Sequence, residues 1–157
     1  MIEPYETALR NASPGFAKLG FSLVRNTEYE ATFSDGTYSI ELSTERYYHP
    51  AMGGAICHPG GKTFEIGLVH QILDPVQHRE DTATLKTVRQ RFALDEHKTP
   101  AEMREQGIAE YLRVMLDQVL HFFTNYKERV FASPNEYEAD YTLRSNALVS
   151  KIVKRAT

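Results

Sequence analysis

Residues 29–43 read YEATFSDGTYSIELS, and the reading of this stretch decides the fold. Two runs of alternating apolar and polar residues flank Asp35-Gly36. Alternation at period two marks a strand with one buried face, because successive side chains point to opposite sides. Asp-Gly is a preferred pair for a two-residue type I′ turn, whose central residues both need φ > 0. A turn at that pair sets Phe33 opposite Tyr38, Ala31 opposite Ile40 and Tyr29 opposite Leu42, all six on one face. The same register sets Glu30 opposite Glu41 on the other face, a like-charged pair that is destabilising. Either a neighbouring cation such as Arg25 screens this pair, or the face is held ready for a basic partner.

Outward from the hairpin, FSLVR (21–25) supplies a preceding strand and TFEIGL (63–68) a following one. IGLVHQIL (66–73) then shifts to helical spacing, and Asp74-Pro75 stops it. Between the strands, YYHPAMGGAICHPGGK (47–62) gathers two histidines, the only cysteine and four glycines. Structural zinc ligands come as spaced pairs. Here Cys57 and His58 are adjacent, so they point to opposite faces of a strand, and His49 lies well before them. The glycines also miss the G-x-x-x-x-G-K-[ST] spacing of a phosphate loop, and the residues that follow alternate like a strand. The stretch reads as a loop, a short strand and a hairpin turn at Pro59-Gly60-Gly61. No metal and no other cofactor is expected, and no catalytic residue can be assigned.

Helical spacing marks several further segments. Residues 3–12 form a short amphipathic helix that SPGF (13–16) interrupts, and 82–94 form another, although the threonine-rich alternation there also fits a strand. TPAE (99–102) opens a long helix, with Thr99 as N-cap, Pro100 at the first helical position and Glu102 closing a capping box. Ile108, Leu112, Met115, Val119, Phe122 and Tyr126 then recur at steps of four and three, and Ser133-Pro134 ends the helix. The tail from Asn135 sets Tyr137, Tyr141, Leu148 and Ile152 along one face. The expected fold is α+β: an antiparallel meander of about three to five strands packed on the long C-terminal helix, with additional short helices.

The 157 residues suit one domain with a core of its own, and 41% hydrophobic with 25% charged residues is ordinary globular composition. A net charge of −3 gives no argument for nucleic acid, and no apolar run is long enough to span a bilayer. A single cysteine and an opening, MIEPYETALRN, without a basic-then-apolar run point to a cytoplasmic protein. Charge is distributed unevenly. Between Asn26 and Gly60 five acids face the single base Arg46, whereas Arg144, Lys151, Lys154 and Arg155 have no acid near them in the last fifteen residues.

Candidate functional residues fall into two groups. The first is a partner-binding surface: Glu30 and Glu41 on the outer hairpin face, continuing into Arg46, Tyr47, Tyr48 and His49, where Tyr and Arg are the residue types enriched at interface hot spots. Plain packing of one of the two tyrosines is the competing reading of that stretch. The second is a pocket between sheet and long helix, for a small-molecule binder or enzyme, with His70 and Tyr111 the residues to inspect. Asp117 and His121, four residues apart, lie opposite the apolar stripe and should face water, as should His78, while His70 and His97 look isolated. A homodimer burying an apolar helix stripe is a third reading.

The layout resembles that of small bacterial single-domain proteins, among them immunity proteins that neutralise polymorphic toxins. A short helix leads through LGFSLVRNTEYEATF into SDGTYSIELSTERYY, then a glycine-containing hairpin and a long helix, over roughly residues 16–130. The resemblance is one of layout, so no residue role carries over. It implies a non-enzymatic cytoplasmic protein that binds a toxin domain, often a basic one.

Overall fold

A computed structural model describes Met1, residues 3–44 and residues 52–156. The order is α1 (Tyr5–Lys18), β1 (Ser22–Asn26), β2 (Glu30–Ser34), β3 (Ser39–Thr44), β4 (Met52–Cys57), β5 (Thr63–Glu65), α2 (Ile66–Leu73), α3 (Pro75–Arg91), α4 (Ala101–Ala132) and α5 (Glu138–Ala156). The strands form one antiparallel sheet in sequence order, so the α+β meander expectation holds.

The hairpin has the expected faces and a different register. Ala31 pairs with Leu42 and Phe33 with Ile40, while Glu30 faces Ser43 and Glu41 faces Thr32. The predicted Glu30–Glu41 pair is therefore absent. Its basis, a two-residue turn, is replaced by a loop over Asp35–Tyr38. Gly36 takes φ +94°, but Asp35 does not enter the left-handed region. Instead the Asp35 carboxylate accepts from the amides of Thr37 and Tyr38 at 2.9 and 2.8 Å. An Asx side chain that satisfies turn amides lengthens the loop, and a slip of two residues leaves every side chain on its original face.

Ala31, Phe33, Ile40, Leu42, Ile56 and Phe64 are buried on the inner face. They meet Leu9, Ala12 and Phe16 of α1 and Leu116, Phe122, Phe123, Val130 and Phe131 of α4 in one core. Phe16 stacks on Phe33 with ring centres 4.2 Å apart. This burial explains why α1 runs through Pro14 where the sequence predicts an interruption. A proline inside a helix costs about 3 kcal/mol. Each fully buried large apolar side chain contributes about 1.5–3 kcal/mol, and Tyr5, Leu9 and Phe16 are all buried on this helix.

Three other boundaries differ from expectation. The strand at TFEIGL ends at Glu65, where helical spacing begins. Asp74-Pro75 stops α2 and also starts α3, the Asp74 carboxylate accepting from the Gln77 amide at 3.1 Å with Pro75 in the first turn. The helix expected from Thr82 is therefore longer at its front. Thr99 does not cap α4. Pro100 is the cap residue, and the Thr99 hydroxyl donates to the carbonyls of Ala93 and Glu96. The long helix otherwise follows its predicted stripe, with Ile108, Leu112, Leu116, Phe122 and Phe123 buried.

Between α3 and α4 the chain passes very close to Gly107. A Cβ there would lie 2.5 Å from Phe92 Cβ, so the crossing needs glycine. The same connection holds Ala93 at φ +48°, a conformation that costs an L-residue about 1–2 kcal/mol. Ala93→Gly is expected to stabilise the fold by about 0.5–1 kcal/mol, read as a rise in Tm; a fall would mean that the Ala93 methyl packs favourably.

Tyr137 anchors the start of α5, its buried hydroxyl donating to the Val130 carbonyl at 2.7 Å. Tyr141 receives a hydrogen bond from the Glu65 amide at 3.0 Å. Beyond that point the apolar face of α5 runs out of cover: Leu148, Val149 and Ile152 are exposed.

Candidate functional site

The helices cover only one side of the sheet. On the other side the pairings align side chains in rows across the strands. One row is Arg25, Thr32, Glu41, Ala55 and Glu65; the next is Glu30, Ser43 and Gly53. Glu30, Glu41, Ser43 and Glu65 are exposed. Three carboxylates thus stand among small side chains on an open face, bordering a groove of about 500 Å³ that Tyr141 closes at the β5 side.

One cation answers them among the described groove residues. Arg25 Nη2 lies 3.3 Å from a Glu30 carboxylate oxygen; it is the cation the sequence offered as a screen, although the facing Glu30–Glu41 pair it was to screen does not form. Glu41 and Glu65 make no ion pair among the described residues. Cys57 shares the face, and burial, with Glu41 beside it, pushes its thiol up to about 11. It is a protonated thiol at neutral pH and a poor nucleophile.

Of the predicted surface, Glu30 and Glu41 are on this face together, though not opposite one another. Arg46, Tyr47, Tyr48 and His49 lie outside the described residues. Glu65 joins the face unforeseen; the alternation of TFE carried that signal, since Phe64 points inward and its neighbours must point out.

The pocket residues separate. Tyr111 stands apart beside the Arg89 guanidinium, 5.5 Å from its ring centre. His70 lines a cleft of about 180 Å³ between α2, α3, α4 and the end of the sheet. It is not isolated, and His78 does not stand free in solvent, as the sequence suggested. The His78 ring packs edge-on against His70 at 5.4 Å, and the Asp81 carboxylate lies 4.0 Å from His70 Nδ1. The tight α2–α3 corner at Asp74 brings them together, because it folds α3 back along α2. Asp117 and His121 are exposed as expected, Asp117 paired with Arg113 at 2.9 Å and His121 with Asn125.

Burial holds both His58 and His70 below the ordinary imidazole range. Around His70, Asp81 and Asp74 pull the other way, while His78 and His121 reinforce the shift. The unfolded chain takes up these protons near pH 6.5, the folded chain only at lower pH. Stability is therefore full above that pH and is lost as pH falls below it. The carboxylates held low, Glu6, Asp74, Asp95 and Glu110, lose their contribution only in more acidic solution. Thermal denaturation is expected to give a lower Tm at pH 5 than at pH 7, with a smaller drop in His70→Phe. A Tm that is flat or rising on acidification would contradict this.

Fold and site together define an α+β domain with one sheet face packed against helices and the other open and acidic. No protein-family model, curated protein or solved structure matches the chain. Among the described residues no helix is long and apolar enough to cross a membrane, and no group of three or more His, Cys, Asp or Glu could hold a metal ion.

Proposed function

We propose that this chain is a non-enzymatic protein-binding domain that receives a basic partner on the open sheet face, in the manner of an immunity protein neutralising a toxin domain. The observation that carries the reading is the set of three exposed carboxylates, Glu30, Glu41 and Glu65, on a face whose one cation among the described residues of the groove is already engaged. Small neighbours, Thr32, Ser43, Gly53 and Ala55, leave them clear for cationic side chains to approach. Charges placed this way raise the rate of encounter and select against acidic surfaces.

The reading is tested by immobilising the chain and capturing partners from a bacterial lysate at low and at high salt, with Glu30→Lys/Glu41→Lys alongside. The expected result is a basic protein retained at low salt, released as screening shortens the reach of charge, and not retained by the variant. Retention that ignores both salt and the substitutions would remove the sheet face from the account.

A further inference from the structure

The His70 cleft adjoins the groove of the open face, sharing Leu42, Gly53, Gly54 and Glu65 with it, and runs on between α2, α3 and α4. Its walls are apolar: Leu42 and Ile66 from one side, Leu85, Met115, Val119 and Phe122 from the other. Its volume of about 180 Å³ equals that of about six waters in the liquid. His70, at its base, is only 7% exposed.

The hydrogen bonding of the two central side chains is incomplete. Asp81 Oδ1 accepts from the Gln77 amide group at 2.8 Å, while Asp81 Oδ2 is buried without a partner among the described residues. His70 Nε2 is likewise buried and unpartnered, and its Nδ1 is too far from Asp81 for a hydrogen bond. The Gln118 side-chain amide already donates to the Asp81 carbonyl at 3.0 Å. Buried polar groups left unpaired are rare in folded proteins and call for a reason.

Charge gives that reason a sign. Glu65 also lines the cleft, and no lysine or arginine does among the described residues. Burial holds His70 in its neutral form at pH 7, so the ring offers a lone pair and brings no positive charge to Asp81. An ammonium group carries three donors and no acceptor, which complements a carboxylate and an imidazole lone pair. A carboxylate or phosphate would meet two like charges.

We propose that this cleft is a binding site for a small organic ammonium ion, its head on Asp81 and His70 and its apolar body against Met115, Val119 and Phe122.

The test uses three four-carbon probes, n-butylammonium, 1-butanol and butyrate, titrated into the whole chain while NMR follows the His70 ring and Met115 methyl signals. Butylammonium is expected to shift both saturably, at least tenfold more tightly than butanol, with no saturation by butyrate. Asp81→Asn, its fold verified by its amide spectrum, is expected to weaken butylammonium at least tenfold. Equal affinity for amine and alcohol, absence of saturable shifts, or unchanged binding by a folded Asp81→Asn would each overturn the assignment. Should Asp81→Asn not fold, the comparison of the three probes on the native chain decides.

Discussion

Phe33→Ala is expected to lower the free energy of unfolding by about 3–5 kcal/mol, the cost of deleting a fully buried aromatic ring. Phe33 is 1% exposed and stacks on Phe16 at 4.2 Å. It pairs with Leu23 on one side and Ile40 on the other within the sheet. For a chain of this size the loss corresponds to a fall in Tm of roughly 10 °C or more. Ser43→Ala, two strand positions from Glu41 on the outer face, should stay within about 0.5 kcal/mol. Chemical denaturation of the two variants checks the assignment of faces directly. Comparable losses would mean that the sheet is not one-sided.

Glu30→Lys/Glu41→Lys is expected to weaken the complex with a basic partner about 100-fold at low salt, which corresponds to about 3 kcal/mol. Each reversal removes an attraction and adds a repulsion at the same place, so the effect exceeds that of neutralisation. Stability of the free chain should change by less than about 1 kcal/mol, because both side chains are exposed and, among the described residues, only Glu30 of the two has an ion pair. The Arg25–Glu30 contact is itself a surface pair of small worth, and the variant leaves Arg25 beside a second cation. Raising the salt should shrink the difference between native chain and variant, since the interaction is screened over about 10 Å at 0.1 M. A variant that binds as well as the native chain would show that the partner, if basic, docks elsewhere.

The sheet's two faces were legible in the sequence because alternation at period two is a one-dimensional signal. Register was not, because a shift by two residues satisfies the same alternation. What decided it was the Asp35 side chain, which bonds to Thr37 and Tyr38 and thereby stretches the loop. Pro14 misled in a related way. Its local cost is real, but Leu9 and Phe16 are buried on either side of it, and that burial is visible only once the sheet exists. Asp74-Pro75 carries two messages in one dipeptide, a stop for α2 and a cap for α3, and only the first shows as a break in periodicity.

The same dipeptide hid the cleft. His70 and Asp81 are eleven residues apart with a helix boundary between them, so neither helical nor strand periodicity relates them. Their approach follows from the corner at Asp74, whose own carboxylate is further fixed by the Tyr126 hydroxyl at 2.7 Å. Two of the three outer carboxylates, by contrast, were readable directly, since any register that buries Phe33 and Ile40 exposes Glu30 and Glu41. The tail was half legible: Tyr137 and Tyr141 pack as their spacing suggests, while Leu148 and Ile152 continue the same stripe into the open.

The most direct measurement is amide hydrogen exchange of the chain alone and in complex with its captured basic partner. The account predicts new protection confined to 30–32, 41–43, 53–55 and 63–65, the rows of the open sheet face. Protection that falls on the outer surface of α4 or on the last turns of α5, with the sheet rows unchanged, would contradict it.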